Sequence, residues 1–101
     1  MAKKSVIYRQ KKRERLVKQF AEQRKALKAI AYDHNASAKT RWEAQQKLQK
    51  MPRDTSAVRL RNRCQKTGRG RGVYRMFGLS RSVILFHAKQ GDFPGIMKSS
   101  W

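Results

Sequence analysis

Between Ser5 and Tyr32 the chain contains no glycine or proline, and apolar residues at Leu16, Phe20, Leu27 and Ile30 recur at helical spacing. Val17 and Ala31 widen that stripe, and the pattern predicts one long helix. Its first half, from Lys3 to Arg15, is basic nearly all round, with only Val6, Ile7 and Tyr8 to bury. That half has little intramolecular reason to pack. It is expected to lie along nucleic acid or protrude between partners, the alternative being a solvated helix end.

Asp33-His34-Asn35-Ala36-Ser37 interrupts the pattern with residues that compete for backbone hydrogen bonds, and Ser37 or Asn35 can cap a second helix. His34 reads as a turn residue rather than a ligand. The second helix runs to about Lys50, with Trp42, Ala44, Gln45 and Leu48 as a weak apolar face, and Met51-Pro52 ends it. The two helices predict an αα-hairpin in which Trp42 and Leu48 pack near Phe20, Leu27 and Ile30. Residues 52–57 read as a turn-rich linker. Farther on, Gly72 to Gly78 predicts a short strand or hairpin arm, and Ser80 can cap a last helix over Arg81 to Gln90. Val83, Ile84, Phe86 and His87 give that helix an apolar side, and Gly91 supplies a left-handed stop. The tail through Pro94-Gly95 is extended and ends on Trp101, an aromatic with something to stack or pack on.

Length and charge change this picture. At 101 residues there is room for one domain of ordinary size. Leu, Ile, Val and Phe make up 19 of 101 residues, just under the fifth below which a highly charged chain leans towards disorder. A net charge of +20 and a pI near 11.4 point to a polyanion partner, nucleic acid first, and to a chain that needs that partner for full order. The charge is uneven: residues 1–32 carry +9, residues 33–52 only +2, and residues 53–101 again +9. We therefore divide the chain into a helical hairpin arm, 1–52, and a basic loop with C-terminal helix and tail, 53–101, together one functional unit. One cysteine, Cys64, excludes an intramolecular disulfide and any all-cysteine metal set. No apolar run approaches a membrane span. The basic start has the composition of a transit peptide, but its pattern runs on through Glu14 and Glu22 and reads as mature protein.

The stretch Arg59 to Arg81 concentrates the chemistry. It holds seven arginines, one lysine, four glycines and two aromatics with no acidic residue. Guanidinium forks match phosphate and stack on flat rings, while glycine lets the backbone approach closely. Arg59, Arg61 and Arg63 alternate, and in an extended chain would form a row suited to a phosphate track. Six scattered acidic residues, two histidines 53 positions apart and the lack of any nucleophile or paired-carboxylate motif argue against an enzyme. Gly68-Arg-Gly-Arg-Gly lacks the preceding strand and following helix of a nucleotide-binding loop. Two other readings remain open: a free-standing, non-specific nucleic-acid-binding protein, and an anionic-lipid-binding helix over residues 3–31.

Five segments carry a more specific signal: Leu48-Gln-Lys-Met-Pro-Arg-Asp-Thr-Ser, Val58-Arg-Leu-Arg-Asn-Arg-Cys, Thr67-Gly-Arg-Gly-Arg-Gly-Val-Tyr-Arg, Phe77-Gly-Leu-Ser-Arg and Pro94-Gly-Ile-Met-Lys-Ser-Ser-Trp. With Met1-Ala-Lys-Lys-Ser at the start, the chain resembles the family of small ribosomal subunit protein fourteen in its bacterial and organellar long form. Short members of that family hold zinc through two Cys-x-x-Cys pairs. Laid on that motif, this chain has Cys64, Thr67, Ser80 and Val83, so the resemblance implies the zinc-free branch, with no metal and no cofactor. Val73, Tyr74, Phe77, Leu79, Val83 and Ile84, and the RNA, would then hold the local fold. Gly70 stands where most members have proline or alanine, which implies a looser loop before binding.

The implied fold is mainly α: a long N-terminal helix and αα-hairpin, a basic extended loop like a metal-free zinc ribbon, a short C-terminal helix and an extended tail. The implied function is that of a structural ribosomal constituent that binds small-subunit ribosomal RNA in the head of the subunit, near the decoding region. Small-subunit proteins three, ten and nineteen would be its neighbours, with no membrane and no small-molecule substrate. The location implied is the ribosome, whether of a bacterial cytoplasm, a mitochondrion or a plastid. The expected RNA contacts are Lys3, Lys4, Arg9, Lys12, Arg59, Arg61, Arg63, Arg69, Arg71, Tyr74, Arg75, Arg81, Lys98 and Trp101. Tyr74, Phe77 and Trp101 would either stack on bases or close a small core.

Overall fold

The computed structural model describes residues 2–99. It is mainly helical, with α1 over Lys4–Ala31, α2 over Ala38–Lys50, a hairpin of β1 (Val73–Tyr74) and β2 (Leu79–Ser80), and α3 over Arg81–Gln90. The chain forms two compact units, one of Arg9–Leu60 and one of Met1–Tyr8 with Arg61–Trp101. The long helix thus begins in one unit and continues in the other.

In the unit of Arg9–Leu60, Ser37 is the N-cap of α2, its hydroxyl accepting from the Thr40 amide at 3.3 Å. Met51 closes the other end through its amide and the Leu48 carbonyl. The stripe that α2 buries differs from the expected one. Arg41, Ala44 and Leu48 are its less exposed positions, at spacings of three and four, whereas Trp42 and Gln45 lie one residue off that line. Trp42 is 63% exposed and does not pack as expected, while Arg41 donates to the Ala31 carbonyl at 3.4 Å. Residues 52–57, read as a turn-rich linker, make ordered turns. Two 3-10 turns, Arg53–Thr55 and Ala57–Arg59, fold back on α1. Asp54 accepts from Arg13 at 3.1 Å and pairs with Arg59 at 3.0 Å, and the buried Thr55 hydroxyl accepts from Arg24 at 3.1 Å while donating to the Pro52 carbonyl.

In the other unit, Val73 pairs with Ser80 and Tyr74 with Leu79, antiparallel. Two-residue strands send neighbouring side chains to opposite faces, so Val73 is half-buried and Tyr74 exposed. Ser80 sits at the N-cap of α3, but its side chain makes no cap bond. It is buried at the end of β2, and the first helical amide, that of Arg81, donates to the Gly72 carbonyl at 2.8 Å instead. Gly91 ends α3 at φ 79°, with its amide bonded to Ala88 and that of Asp92 to His87. The expectation that the start of α1 has nothing to pack on is corrected here. Val6 and Ile7 are half-buried, and the Ala2 amide donates to the Thr67 carbonyl at 3.3 Å. A Cβ at Gly68 would come within 2.8 Å of Ile7, and φ there is +75°, so the loop and the helix start meet where only glycine fits.

Candidate nucleic-acid interface

The basic loop is shaped by two of its own arginines. Arg61 Nε donates to the Gly70 carbonyl at 2.6 Å and Arg63 Nη1 to the Gly68 carbonyl at 3.1 Å. The loop is closed below by the Cys64 amide bonded to Arg69 O at 2.9 Å, and the Gly68 amide bonded to Cys64 O at 2.8 Å. The row expected of Arg59, Arg61 and Arg63 is therefore not built. Arg59 is turned to Asp54 within the other unit, while Arg61 and Arg63 point to glycine carbonyls, because unpaired carbonyls of a tight loop compete for the nearest strong donors.

These bonds leave Arg71 and Arg75 exposed on the loop and hairpin, with Arg69 half-buried beside them and its Nη1 3.5 Å from Ser82 Oγ. Arg81 is exposed as well, its stem lying over Gly72. Ala2, Arg69, Gly70 and Arg71 line a notch of about 290 Å³. Lys3 and Lys4 follow Ala2, both exposed, and so is Lys98 in the tail. Arg9 and Lys12 are exposed on α1 within the other unit, and Trp101 lies outside the described residues. The unit that holds the loop carries 11 basic side chains and one acidic one, Asp92. Asp92 is engaged by His87 Nδ1 at 2.6 Å, and His87 Nε2 lies 2.8 Å from Lys66 Nζ. Since Lys66 can only donate, the ring accepts at Nε2 and carries its proton at Nδ1, towards Asp92. The sole acid of the unit is thus held at the end of α3. Sequence reasoning took His87 as part of an apolar side and passed over Lys66; the one available signal was the acidic Asp92 immediately after the Gly91 stop.

Cys64, Thr67, Ser80 and Val83 are the residues that the family resemblance sets at the four zinc-ligand positions. Burial pushes the Cys64 thiol up; the Thr67 hydroxyl and the backbone amides of Thr67, Ser80 and Lys66 outweigh it and bring it down from 9.0 to about 6. One sulfur, two hydroxyls and an isopropyl group do not fit zinc, which takes sulfur, imidazole or carboxylate donors. Among the described residues no group of three or more His, Cys, Asp or Glu could hold a metal ion, and no helix is long and apolar enough to cross a membrane. Val73, Phe77, Leu79, Val83 and Ile84 are all half-buried, and the Phe77 and Phe93 ring centroids lie 5.3 Å apart. Tyr74, at 56% exposure, is not part of that core.

The profile of the family described as Ribosomal protein S14p/S29e matches residues 47–100, the span that includes the loop, the hairpin and α3. Over all 101 residues of both chains, the protein is 54% identical to the small ribosomal subunit protein uS14 of Alkalilimnicola ehrlichii. It is also 54% identical over the same full span to the uS14 of a Synechococcus strain. The chain belongs to the uS14 family. As a uS14-family member it is a small-subunit ribosomal protein, of a family of structural constituents rather than catalysts.

Proposed function

We propose that this chain binds small-subunit ribosomal RNA through the acid-free face of the loop and hairpin, helping to fold and hold the head of the subunit near the decoding region. The observation that carries the reading is the arrangement around Gly68–Gly72: Arg61 and Arg63 tie the loop's carbonyls, and Arg71 and Arg75 are thereby left to solvent with Arg69 and Arg81 beside them. Phosphates neutralised by such side chains release counterions, which supplies affinity at sites with no base reading. Lys3, Lys4 and Lys98 extend the same unit's surface, and Arg9 and Lys12 are assigned to a separate backbone contact along α1. Arg59, Arg61 and Arg63 keep their place near the RNA but act first as shaping residues. Neighbouring head proteins, three, ten and nineteen by resemblance, are assigned to the helical arm, where Trp42 offers an uncovered ring. Binding of the purified protein to a transcribed head domain of small-subunit RNA, measured against salt, tests this. Changing Arg69, Arg71 and Arg75 together to Ala is expected to lower the slope of log K against log salt by about 0.7 to 0.9 per lost phosphate contact. An unchanged slope removes the loop from the contact surface.

A further inference from the structure

Helix α3 has two apolar sides. Val83, Phe86 and His87 form one, and there His87 stacks edge-on with Phe86 at 5.4 Å and with Phe93 at 6.1 Å. Ile84, Leu85 and Ala88 form the other, with Arg81 one turn before them on the same side. This second side faces a groove of about 230 Å³ whose further walls come from Tyr74 on the hairpin and Met97 and Lys98 in the tail. Tyr74 is 56%, Met97 87% and Leu85 36% exposed, so the walls are apolar and open. The groove is smaller than the roughly 300 Å³ at which small-molecule pockets begin.

We propose that this groove receives a single unpaired nucleotide of the RNA, its base against Tyr74 and the apolar side of α3 and its phosphate met by Arg81 and Lys98. The inference rests on the RNA-binding reading and gives it a second kind of contact. Charge decides the occupant. An apolar slot with a cation from the helix start and another from the tail, in a unit whose only acid is held by His87, complements a flat ring that carries a negative charge. An apolar protein side chain would leave both cations without a counter-charge. Tyr74 projects from a hairpin whose backbone pairing does not depend on its side chain, so the ring is presented on a fixed support. Stacking of this kind tolerates any base and places the contact at a bulge or loop of the RNA.

The test is salt-dependent binding of Tyr74→Ala and Tyr74→Phe to the transcribed head domain, with circular dichroism confirming that both variants keep the wild-type fold. Tyr74→Ala is expected to bind about fivefold to a hundredfold more weakly with an unchanged salt slope, since stacking releases no counterions, and Tyr74→Phe to bind like wild type. Wild-type affinity in Tyr74→Ala overturns the groove and leaves the loop's role standing; a reduced slope in that variant overturns it too, as an electrostatic effect. Failure of the wild-type protein to bind the RNA removes both readings. Ultraviolet crosslinking in assembled subunits supplies the remaining outcome: Tyr74 or Met97 joined to an unpaired nucleotide supports the assignment, and Tyr74 joined to a neighbouring protein overturns it.

Discussion

A thiol surrounded by donors is an unusual centre for a small fold. The Cys64 thiol is drawn down to about 6 against an ordinary 9.0, so the folded state holds fewer protons there than the unfolded state between those values. Stability must then rise as pH is raised through that window, be fully present above 9, and be lost as pH falls through 6. Thermal unfolding of the free protein should show this rise, and Cys64→Ser should flatten it; equal pH profiles would mean that the sulfur is not held as a thiolate. Gly68 poses a steric question instead. Gly68→Ala should cost about 1–2 kcal/mol for its left-handed backbone alone and more for the approach to Ile7. Adding Ile7→Ala should return the steric part, so a denaturant-melt double-mutant cycle is expected to be less than additive. Strict additivity would separate the two residues.

At the scale of elements, burial ranks the contacts of the 3-10 corner. Thr55 is buried and its hydroxyl both donates and accepts, so Thr55→Val should cost about 1–3 kcal/mol by taking the acceptor from the Arg24 guanidinium and leaving the Pro52 carbonyl with the Thr55 amide alone. Asp54 is 29% exposed and its two arginines 22% and 39%, so Asp54→Asn should cost at most about 1 kcal/mol despite removing two ion pairs. Urea unfolding of the two variants checks the order, and the reverse ranking would contradict it. The three helices, their ends and the hairpin were legible because they depend on local signals: apolar spacing, Ser37, Pro52 and the glycines. What was not legible depended on competition between distant groups. Trp42 looked like a core residue because a large aromatic outweighs an alanine in any pattern, yet the line of close approach runs through Ala44. Ser80 looked like a cap, but strand pairing buried it first. Arg61 and Arg63 read as an open phosphate row, and their spacing could not show that glycine carbonyls nine residues on from Arg61 and five on from Arg63 would engage them.

For the molecule as a whole, the buried apolar side chains among the described residues are Ala31, Ala44 and Cys64. The accessible surface is 8620 Å². Two separate compact bodies, each of half the 11.8 kDa mass, would expose only about 7,100 Å² together. A chain with +20 charge and so thin a core is expected to gain order from a partner that covers surface and neutralises charge. The uS14 membership supplies the setting, and the grip proposed for it is the acid-free face of the loop and hairpin. The most direct measurement is a high-salt gradient of cell extract containing tagged protein, wild type beside the Arg69, Arg71 and Arg75 triple alanine variant. The account predicts wild-type protein sedimenting with small subunits and the variant released towards the top. Wild-type protein that leaves the subunit, or a variant retained as firmly as wild type, would contradict it.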